Sequence, residues 1–369
     1  MKARKKQGFI DRFFFWVNIL LCIALLLSYL APVTSPATFW PLAFFGLAYP
    51  FLLLVNVLMI CWWLFRKWIY ALLSVIIILA GWQVLNRNIG FRLAVPADAL
   101  KDSAAIRIMT YNVHNFKRYG SKNDLSTKQD ILQIIRDEHP DIIGFQEFYT
   151  RNKGQYDMLD SIQSIIGSHH YYLEAARVNR DEAIGQAIFS RFPILAHGMI
   201  QLSDRTSENQ CLYVDIKKGN RIFRFYSVHL QSIRFDPDDY RYLNNVAQAG
   251  DKPEKGSVRR LGIKLKTAFL KRSEQIVKIK AHAAACPYPY IISGDFNDTP
   301  ASFALHEMSI GLNNAFVEKG SGLVRTYNGS FPNFQIDYIL ATKDFKVRNY
   351  KVIEKKLSDH YPVRSDLEF

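Results

Sequence analysis

The sequence predicts two mixed β-sheets packed face to face with helices on their outer faces, preceded by three transmembrane helices. Three observations carry this: an uncharged apolar run from Phe13 to Ala31, a second apolar run over residues 40 to 85, and a long series of strand-like segments after residue 104. A doubly wound sheet would alternate strand with helix, and too few helical patterns separate these segments for that.

The 19 residues from Phe13 to Ala31 are close to the number a helix needs to cross the hydrocarbon layer. A basic front end, here Lys2, Arg4, Lys5 and Lys6, also precedes secretory signal peptides. Those have shorter apolar cores followed by a small-residue cleavage site, whereas more apolar sequence follows here. Residues 40 to 85 are charged only at Arg66 and Lys67 and are about twice the length of one span, so they predict a helical hairpin. Trp62, Trp63 and Trp68 flank the two charges and predict a turn at headgroup level. Pro41 and Pro50 are expected at the start of the second span or at a kink in it.

Short loops rich in Lys and Arg stay cytoplasmic. The N-terminal tail, including Arg12, then lies inside, the uncharged PVTSPAT loop outside, and Arg66 and Lys67 inside. Three crossings give a multi-pass membrane protein with its C-terminal domain on the extracytoplasmic side, although Arg87 and Arg92 pull the other way. The expected domains are residues 1–90 as membrane anchor, 91–103 as a tether containing Pro96, and 104–369 as the catalytic domain.

The net charge of +14 is shared between these parts. The first 100 residues hold nine Lys or Arg and two Asp or Glu, so half the excess is a topology signal and +7 remains for the rest. Cys22 and Cys61 fall in the spans, and Cys211 and Cys286 are expected as free thiols, with no spacing that suggests zinc.

In the soluble part, residues 106–113 and 141–148 read as strands. Between them Ser126 and Gln129 suggest a capping box ahead of Ile131, Leu132 and Ile135 on one helical face. Later strand-like runs are QAIFSRFPI, QCLYVDIK, RIFRFYSVHL, YPYIISGDF, QIDYILA and FKVRNYKVIE. Residues 233–257 are polar and rich in turn formers, and read as an inserted loop shaping access to a site. From Lys252 to Lys280 there are ten Lys or Arg against two Glu. Leu261, Leu265, Phe269, Ile276 and Ile279 recur at helical intervals there, which predicts an outer helix with a solvated basic face. The sharper alternative is a face that meets nucleic-acid phosphates or anionic lipid headgroups.

Chemistry is concentrated where polar residues follow strand-like runs: Asn112 in TYNVHN, Glu147 in GFQEF, His229 in YSVHLQS, Asp295 and Asn297 in SGDFNDTP, Asp337 in FQIDYIL, and Ser358, Asp359 and His360 in SDHYPV. Asp295 and Asn297, two apart on an extended chain, share a side, so a carboxylate can take a proton from water beside an amide that holds a phosphate oxygen. Imidazoles such as His229 and His360 exchange protons near neutral pH.

This ordered series resembles the endonuclease/exonuclease/phosphatase superfamily of metal-dependent phosphoesterases, the deoxyribonuclease-like fold, over roughly residues 104 to 369. The resemblance implies a four-layer α/β sandwich and Mg2+ or Mn2+ as cofactor. It implies Asn112, Glu147 and Asp359 at the metal, and His229, Asp295, Asn297, Asp337 and His360 as the catalytic group, with Asp337 orienting His360. The acidic residue orienting His229 is open between Glu174 and Glu182. Ser190 and Arg191 match a family segment in a role that is structural or one layer behind the site, and His114, Asn115, His169 and His170 are left outside the site.

The expected function is a membrane-anchored, divalent-metal-dependent phosphodiesterase of the nuclease type, with nucleic acid as substrate and the lipid bilayer as its other partner. One alternative is a phosphoesterase acting on phospholipid or inositol headgroups, sphingomyelinase-like or inositol-phosphatase-like. Another, of a different class, is a non-catalytic membrane scaffold. No helix-turn-helix, zinc finger or aromatic stacking array is present in the sequence, so nucleic-acid binding would be directed at the backbone. No obligate protein partner is evident in the sequence.

Overall fold

The structure, a computed structural model, describes residues 8–92, 104–117, 125–204, 207–249, 254–329 and 333–369. Most of the expected tether lies outside the described residues. The chain divides into two compact units, Met1–Asn88 with Thr299–Glu307, and Ile89–Asp298 with Met308–Phe369.

The first unit holds α1 (Phe9–Leu30), a single turn α2 (Pro36–Phe39), α3 (Pro41–Arg66), α4 (Trp68–Ala80) and α5 (Trp82–Asn88). Helices α1 and α3 are each long and apolar enough to cross a membrane. The pair α4 and α5 is bent by 73° and makes a third crossing only if counted as one broken span. Pro41 opens α3, where its missing N–H costs no hydrogen bond, and Pro50 lies inside the helix. Helix α3 stops at the predicted charges, and Arg66 and Lys67 both face Asp11 of α1, at 2.9 and 3.6 Å.

Trp63 is fully buried against Met59, Ala71, Phe15 and Tyr70, on the α3 face that also carries Asn56. Polar groups inside these apolar helices bond to one another across helices, Ser74 Oγ donating to Asn18 Oδ1 (2.8 Å) and Cys22 Sγ to Asn56 Oδ1 (3.4 Å).

The remaining elements are β1 (Ile89–Phe91), β2 (Ala105–Asn112), α6 (Leu125–Glu138), β3 (Ile142–Arg151), α7 (Met158–Ile166), β4 (His170–Val178), β5 (Glu182–Ser190), β6 (Ile194–Gln201), β7 (Gln210–Lys218) and β8 (Arg221–His229). They continue with α8 (Pro237–Ala249), α9 (Lys255–Ala284), β9 (Tyr290–Asp295), α10 (Phe303–Ser309), β10 (Asn313–Asn314), α11 (Ala315–Lys319), β11 (Ser321–Leu323), β12 (Asp337–Ala341), β13 (Lys346–Val347), β14 (Lys351–Val352) and β15 (Val363–Glu368). One sheet runs β10-β12-β9-β8-β7-β6 and the other β13-β15-β2-β3-β5-β4, with β14 on β15 and a small β1-β11 pair apart.

Alternation along the strands builds the layers. Ile106 and Ile108 of β2, Ile142 of β3 and Ile188 of β5 meet Val214, Phe225, Ile291 and Ile339 from the other sheet in a fully buried core. Met109, Phe145 and Phe189 face outward beneath Ile131, Ile135, Met158 and Ile162 of α6 and α7. On the far side Tyr226 of β8 hydrogen-bonds His282 of α9 at 3.0 Å. The result is the four-layer α/β sandwich that the sequence predicts.

Three local readings need correction. Helix α6 is already under way at Leu125, so Ser126 sits in its first turn and not at its cap. The stretch read as a loop over 233–257 contains α8, whose Asp239 is buried and ion-paired with Arg260 and Lys264 of α9. Strand β15 is absent from the strand-like runs read above, and its Arg364 and Asp366 are buried, at 1% and 3% exposure. Among the basic residues of α9, Arg272 is also buried, on Asp298 at 2.9 Å.

Candidate active site

The ends of strands from both sheets supply the site. Parallel pairing of β8 with β9 sets His229 opposite Asp295, and antiparallel pairing of β12 with β9 sets Asp337 opposite Asp295 from the other side. Three functional side chains therefore stand in one row. Gly294 makes that row possible: its φ is 143°, and a Cβ there would lie 2.0 Å from the Val228 carbonyl oxygen.

On the other sheet, Asn112 ends β2 beside Gln146 of β3. A register shift between Phe145 and Phe148 puts Glu147 in a bulge at φ 52°, which turns its carboxylate out of the pleat towards Asn112. The Asn112 amide nitrogen donates to Glu147 Oε1 (3.2 Å) and to Asp295 Oδ2 (3.1 Å), tying the two sheets' carboxylates together. Its amide oxygen accepts the His114 backbone N–H at 3.2 Å, so Asn112 presents nitrogen to the carboxylates.

Asp295 is the hub. Its Oδ2 lies 3.6 Å from His229 Nε2 and 3.6 Å from His360 Nε2, and Asn297 donates to both of its oxygens, from backbone N–H (2.8 Å) and from Nδ2 (3.2 Å). Asn297 has φ 51°, so the chain turns there instead of staying extended as the spacing predicts, and the turn brings its side chain onto Asp295. His360 Nδ1 is 3.0 Å from Asp337 Oδ2. The SDH segment is fixed to β2 by Ser358 Oγ, which donates to the Asn112 carbonyl at 2.9 Å. His229 Nδ1 is buried with no hydrogen-bond partner among the described residues, so neither Glu174 nor Glu182 orients it. Those two carboxylates accept from Tyr172 and Tyr149.

Electrostatics follow from this packing. Burial pushes Asp295 up to about 6, and Asp337 adds to the effect against the opposing pull of His360 and His229. Burial opposes charge on His360, but Asp337, then Asp295 and Asp359, outweigh it and hold its pKa well above the ordinary histidine value. Burial also opposes charge on Glu147, and the His114 hydrogen bond, the charge of His229 and the Asn112 hydrogen bond pull it down to about 2.

His114, left outside the site on sequence grounds, stands against two of its residues. Its Nδ1 lies 3.3 Å from Glu147 Oε2 and 3.8 Å from Asp359 Oδ1. The signal was its place two residues beyond Asn112 at a strand end. Ser190 and Arg191 are structural: Ser190 Oγ bonds the backbone of Phe192, and Arg191 pairs with Asp141 at 3.1 Å.

Among the described residues one group of three brings metal-binding atoms together. Asp295, Asp337 and His360 hold theirs within 4.8 Å of one another. In that group the Asp337–His360 contact is a hydrogen bond, so the imidazole nitrogen facing Asp337 is already used. Glu147 and Asp359 are more exposed, with side chains 25% and 15% accessible, and their hard anionic oxygens suit a magnesium-like ion.

A family model described as the Endonuclease/Exonuclease/phosphatase family matches residues 109–360, and residues 11–88 match a domain of unknown function. No curated protein matches the chain. Among solved structures, an endonuclease/exonuclease/phosphatase from Beutenbergia cavernae DSM 12333 is similar at 19% identity over 72% of each chain, with a TM-score of 0.52, and shares the fold. A family protein from Leptotrichia buccalis C-1013-b is similar at 18% identity over 72% of this chain and all of that one, TM-score 0.49. A Bacteroides thetaiotaomicron VPI-5482 mannosyl-6-phosphatase is similar at 20% identity, over 72% of this chain and 100% of that one, TM-score 0.46. With more than half its length matched, the chain belongs to the Endonuclease/Exonuclease/phosphatase family, whose members are hydrolases of phosphoester bonds.

Proposed function

We propose that this protein is a membrane-anchored, divalent-metal-dependent phosphodiesterase that cleaves nucleic-acid backbones. The observation that carries the reading is the Asn112 amide, which joins Glu147, proposed to hold the ion, to Asp295, proposed to move the proton. Glu147 and Asp359 hold Mg2+ or Mn2+ in this reading. When bound, the ion supplies neutralisation of phosphoryl charge and stabilisation of the leaving oxygen.

The chain's own residues supply the rest. Asp295, kept in place by Asn297 and Asn112, accepts the proton of the attacking water. His360, held protonated by Asp337, offsets charge on a phosphoryl oxygen, and His229 flanks the same position from β8. A non-catalytic scaffold would be free to lose these groups, and all of them are present.

The nucleic-acid assignment rests on the basic charge of the soluble part and on nothing base-specific. The second reading is a phospholipid or inositol headgroup. It is favoured by two membrane-length helices on the same chain, and by the engagement of Arg260, Lys264 and Arg272 in ion pairs that take them from a phosphate-binding face.

The test offers the full-length protein, in nanodiscs with Mg2+ or Mn2+, plasmid DNA, RNA, sphingomyelin and phosphatidylinositol phosphates. The reading expects cleavage of nucleic acid that EDTA abolishes and Glu147→Gln lowers by about 10²–10³-fold. Cleavage of lipid alone transfers the assignment to the second reading, and metal-independent cleavage refutes both.

In the same proposal the protein is multi-pass with its catalytic domain extracytoplasmic. Asp11 pairs with Arg66 and Lys67, which supports one side for the start of α1 and the end of α3, and the positive charges make that side cytoplasmic. The bent pair α4 and α5 then makes the third crossing. Alkaline phosphatase fused after Phe369 is expected to be active and a fluorescent protein at the same place dark. The reverse result overturns the topology.

A further inference from the structure

We propose that Thr326 is a positioning residue of the active site: with Tyr327 and Asn328 it forms a clip that fixes Asp337 against His360. The inference rests on the phosphodiesterase reading above and adds to it the residues that set the geometry of its acid–base group.

Asp337 opens β12 and His360 lies three residues before β15, two strands of different sheets that share no ladder. Pairing within the sheets therefore does not set the 3.0 Å contact between Asp337 Oδ2 and His360 Nδ1. Thr326 supplies the tie. Its Oγ1 accepts the backbone N–H of Ile336 at 2.8 Å and of Asp337 at 3.0 Å, and its carbonyl accepts that of Tyr361 at 2.7 Å. One residue thus holds the chain on both sides of the Asp337–His360 bond.

The next two residues extend the tie. Tyr327 forms a β-bridge with His360, and its ring meets the imidazole at 75° with the centroids 5.3 Å apart. The Asn328 N–H donates to the Asp359 carbonyl at 2.6 Å. Residues 326, 327 and 328 so run antiparallel to 361, 360 and 359, in register.

A local turn role does not explain these bonds. A threonine that stabilises only its own turn bonds N–H groups two to four residues away, whereas those that Thr326 holds are ten and eleven residues further on. Thr326, Asp337 and His360 are all buried, so solvent does not stand in for Oγ1 at the two N–H groups. A misplacement of about 1 Å within a catalytic group can cost about 10²-fold in rate.

The experiment uses the full-length protein in nanodiscs with Mg2+ or Mn2+, offered plasmid DNA, RNA, sphingomyelin and phosphatidylinositol phosphates, with kinetics taken on whichever the wild type cleaves. Thr326→Val keeps the shape and removes the oxygen, while Thr326→Ser keeps the oxygen and removes a methyl group. Thr326→Val is expected to lower kcat about 10–100-fold with KM within about 2-fold, and Thr326→Ser to stay within about 3-fold of wild type. A packing role reverses that order, because serine leaves the larger gap. In Asp337→Ala, which lacks the group to be positioned, adding Thr326→Val is expected to lower kcat by less than about 2-fold further. Should Thr326→Val not fold, Tyr327→Leu, which strips the ring from His360, takes its place with an expected kcat loss of at least about 3-fold. Hydrogen exchange reads the clip without turnover: the amides of Ile336, Asp337 and Tyr361 are expected to be slow in the wild type, and the first two to quicken at least about 10-fold in Thr326→Val. Rapid exchange in the wild type, unchanged kcat in the variant used, an equal loss in Thr326→Ser or a full further loss in the double variant overturns the inference and leaves the reading of the site standing. A wild type that cleaves none of the four substrates refutes that reading, and the inference with it.

Discussion

Asp295→Asn is expected to lower kcat by about 10²–10⁴-fold, the range for loss of a positioned proton acceptor. The change keeps the shape of a residue that is 1% exposed and held by Asn112 and Asn297, so folding should survive it. The pH profile separates a proton acceptor from a merely structural carboxylate. Only ionised Asp295 can take a proton, so wild-type kcat/KM should fall as pH drops through about 6, the value to which burial raises this group. The opposite limb belongs to His360, which Asp337 keeps charged well above the usual histidine range, so activity should hold through neutrality and decline only in alkali. The Asn variant should lose the acid limb, and His360→Ala the alkaline one. Because the two groups act on one proton inventory at 3.6 Å, the double variant should be little worse than the worse single one. Full activity of Asp295→Asn, or an unchanged acid limb, would remove Asp295 from the role of base.

What made the site legible was its placement. Asn112, His229 and Asp295 each close a run of β-branched and aromatic residues, so the residues that end the strands could be read in order without knowing how the strands pair. Their roles depended on tertiary facts that no local pattern carries. The bulge that turns Glu147 towards Asn112 shows in GFQEF only as two polar residues between Phe145 and Phe148, which breaks strict alternation without saying which side chain is turned aside. His114 was missed for the same reason: its position depends on a left-handed turn that Phe116 holds from the core, and sequence alone suggests a solvated loop histidine. Pairing also decides the orientation of Asn112, because an amide between two carboxylates and a backbone N–H must turn its nitrogen to the carboxylates. Buried charge is harder to read from a local pattern. Strand β15 carries Arg364 and Asp366 on alternate positions, a pattern that ordinarily marks a wet edge, and it lies between β13 and β2 instead.

That buried charge leads to the largest expected effect on stability. Asp366 accepts two bonds from Arg107, at 2.7 and 2.8 Å, and one from Asn349 at 2.8 Å. Arg364, 1% exposed, pairs with Glu138 at 2.8 Å, and Lys351 reaches Glu138 at 3.0 Å. Asp366→Ala strands Arg107 without its bidentate partner in a site 8% exposed, and removal of one member of such a buried pair costs about 3–5 kcal/mol. The sign of its pH dependence is fixed by the carboxylate. Burial raises the pKa of Asp366, but the Arg107 and Asn349 hydrogen bonds outweigh it and leave the folded value below the ordinary one. Its stabilisation is therefore fully present above the unfolded carboxylate pKa and is lost as pH falls through the lower folded value, so the gap between wild type and variant should be wide at neutrality and close in strong acid. Denaturant unfolding of the full chain, followed by fluorescence at several pH values, reads both quantities. The double change Arg107→Met with Asp366→Leu removes both charges and should recover much of the loss, because apolar packing can replace a desolvated ion pair. A loss below about 1 kcal/mol in Asp366→Ala would put the pair in the class of solvated surface bridges. Recovery in the double variant would mean that the charges between β15 and β2 fix the strand's register and add little net stability, since it is the unpaired partner, and not the absent pair, that costs most.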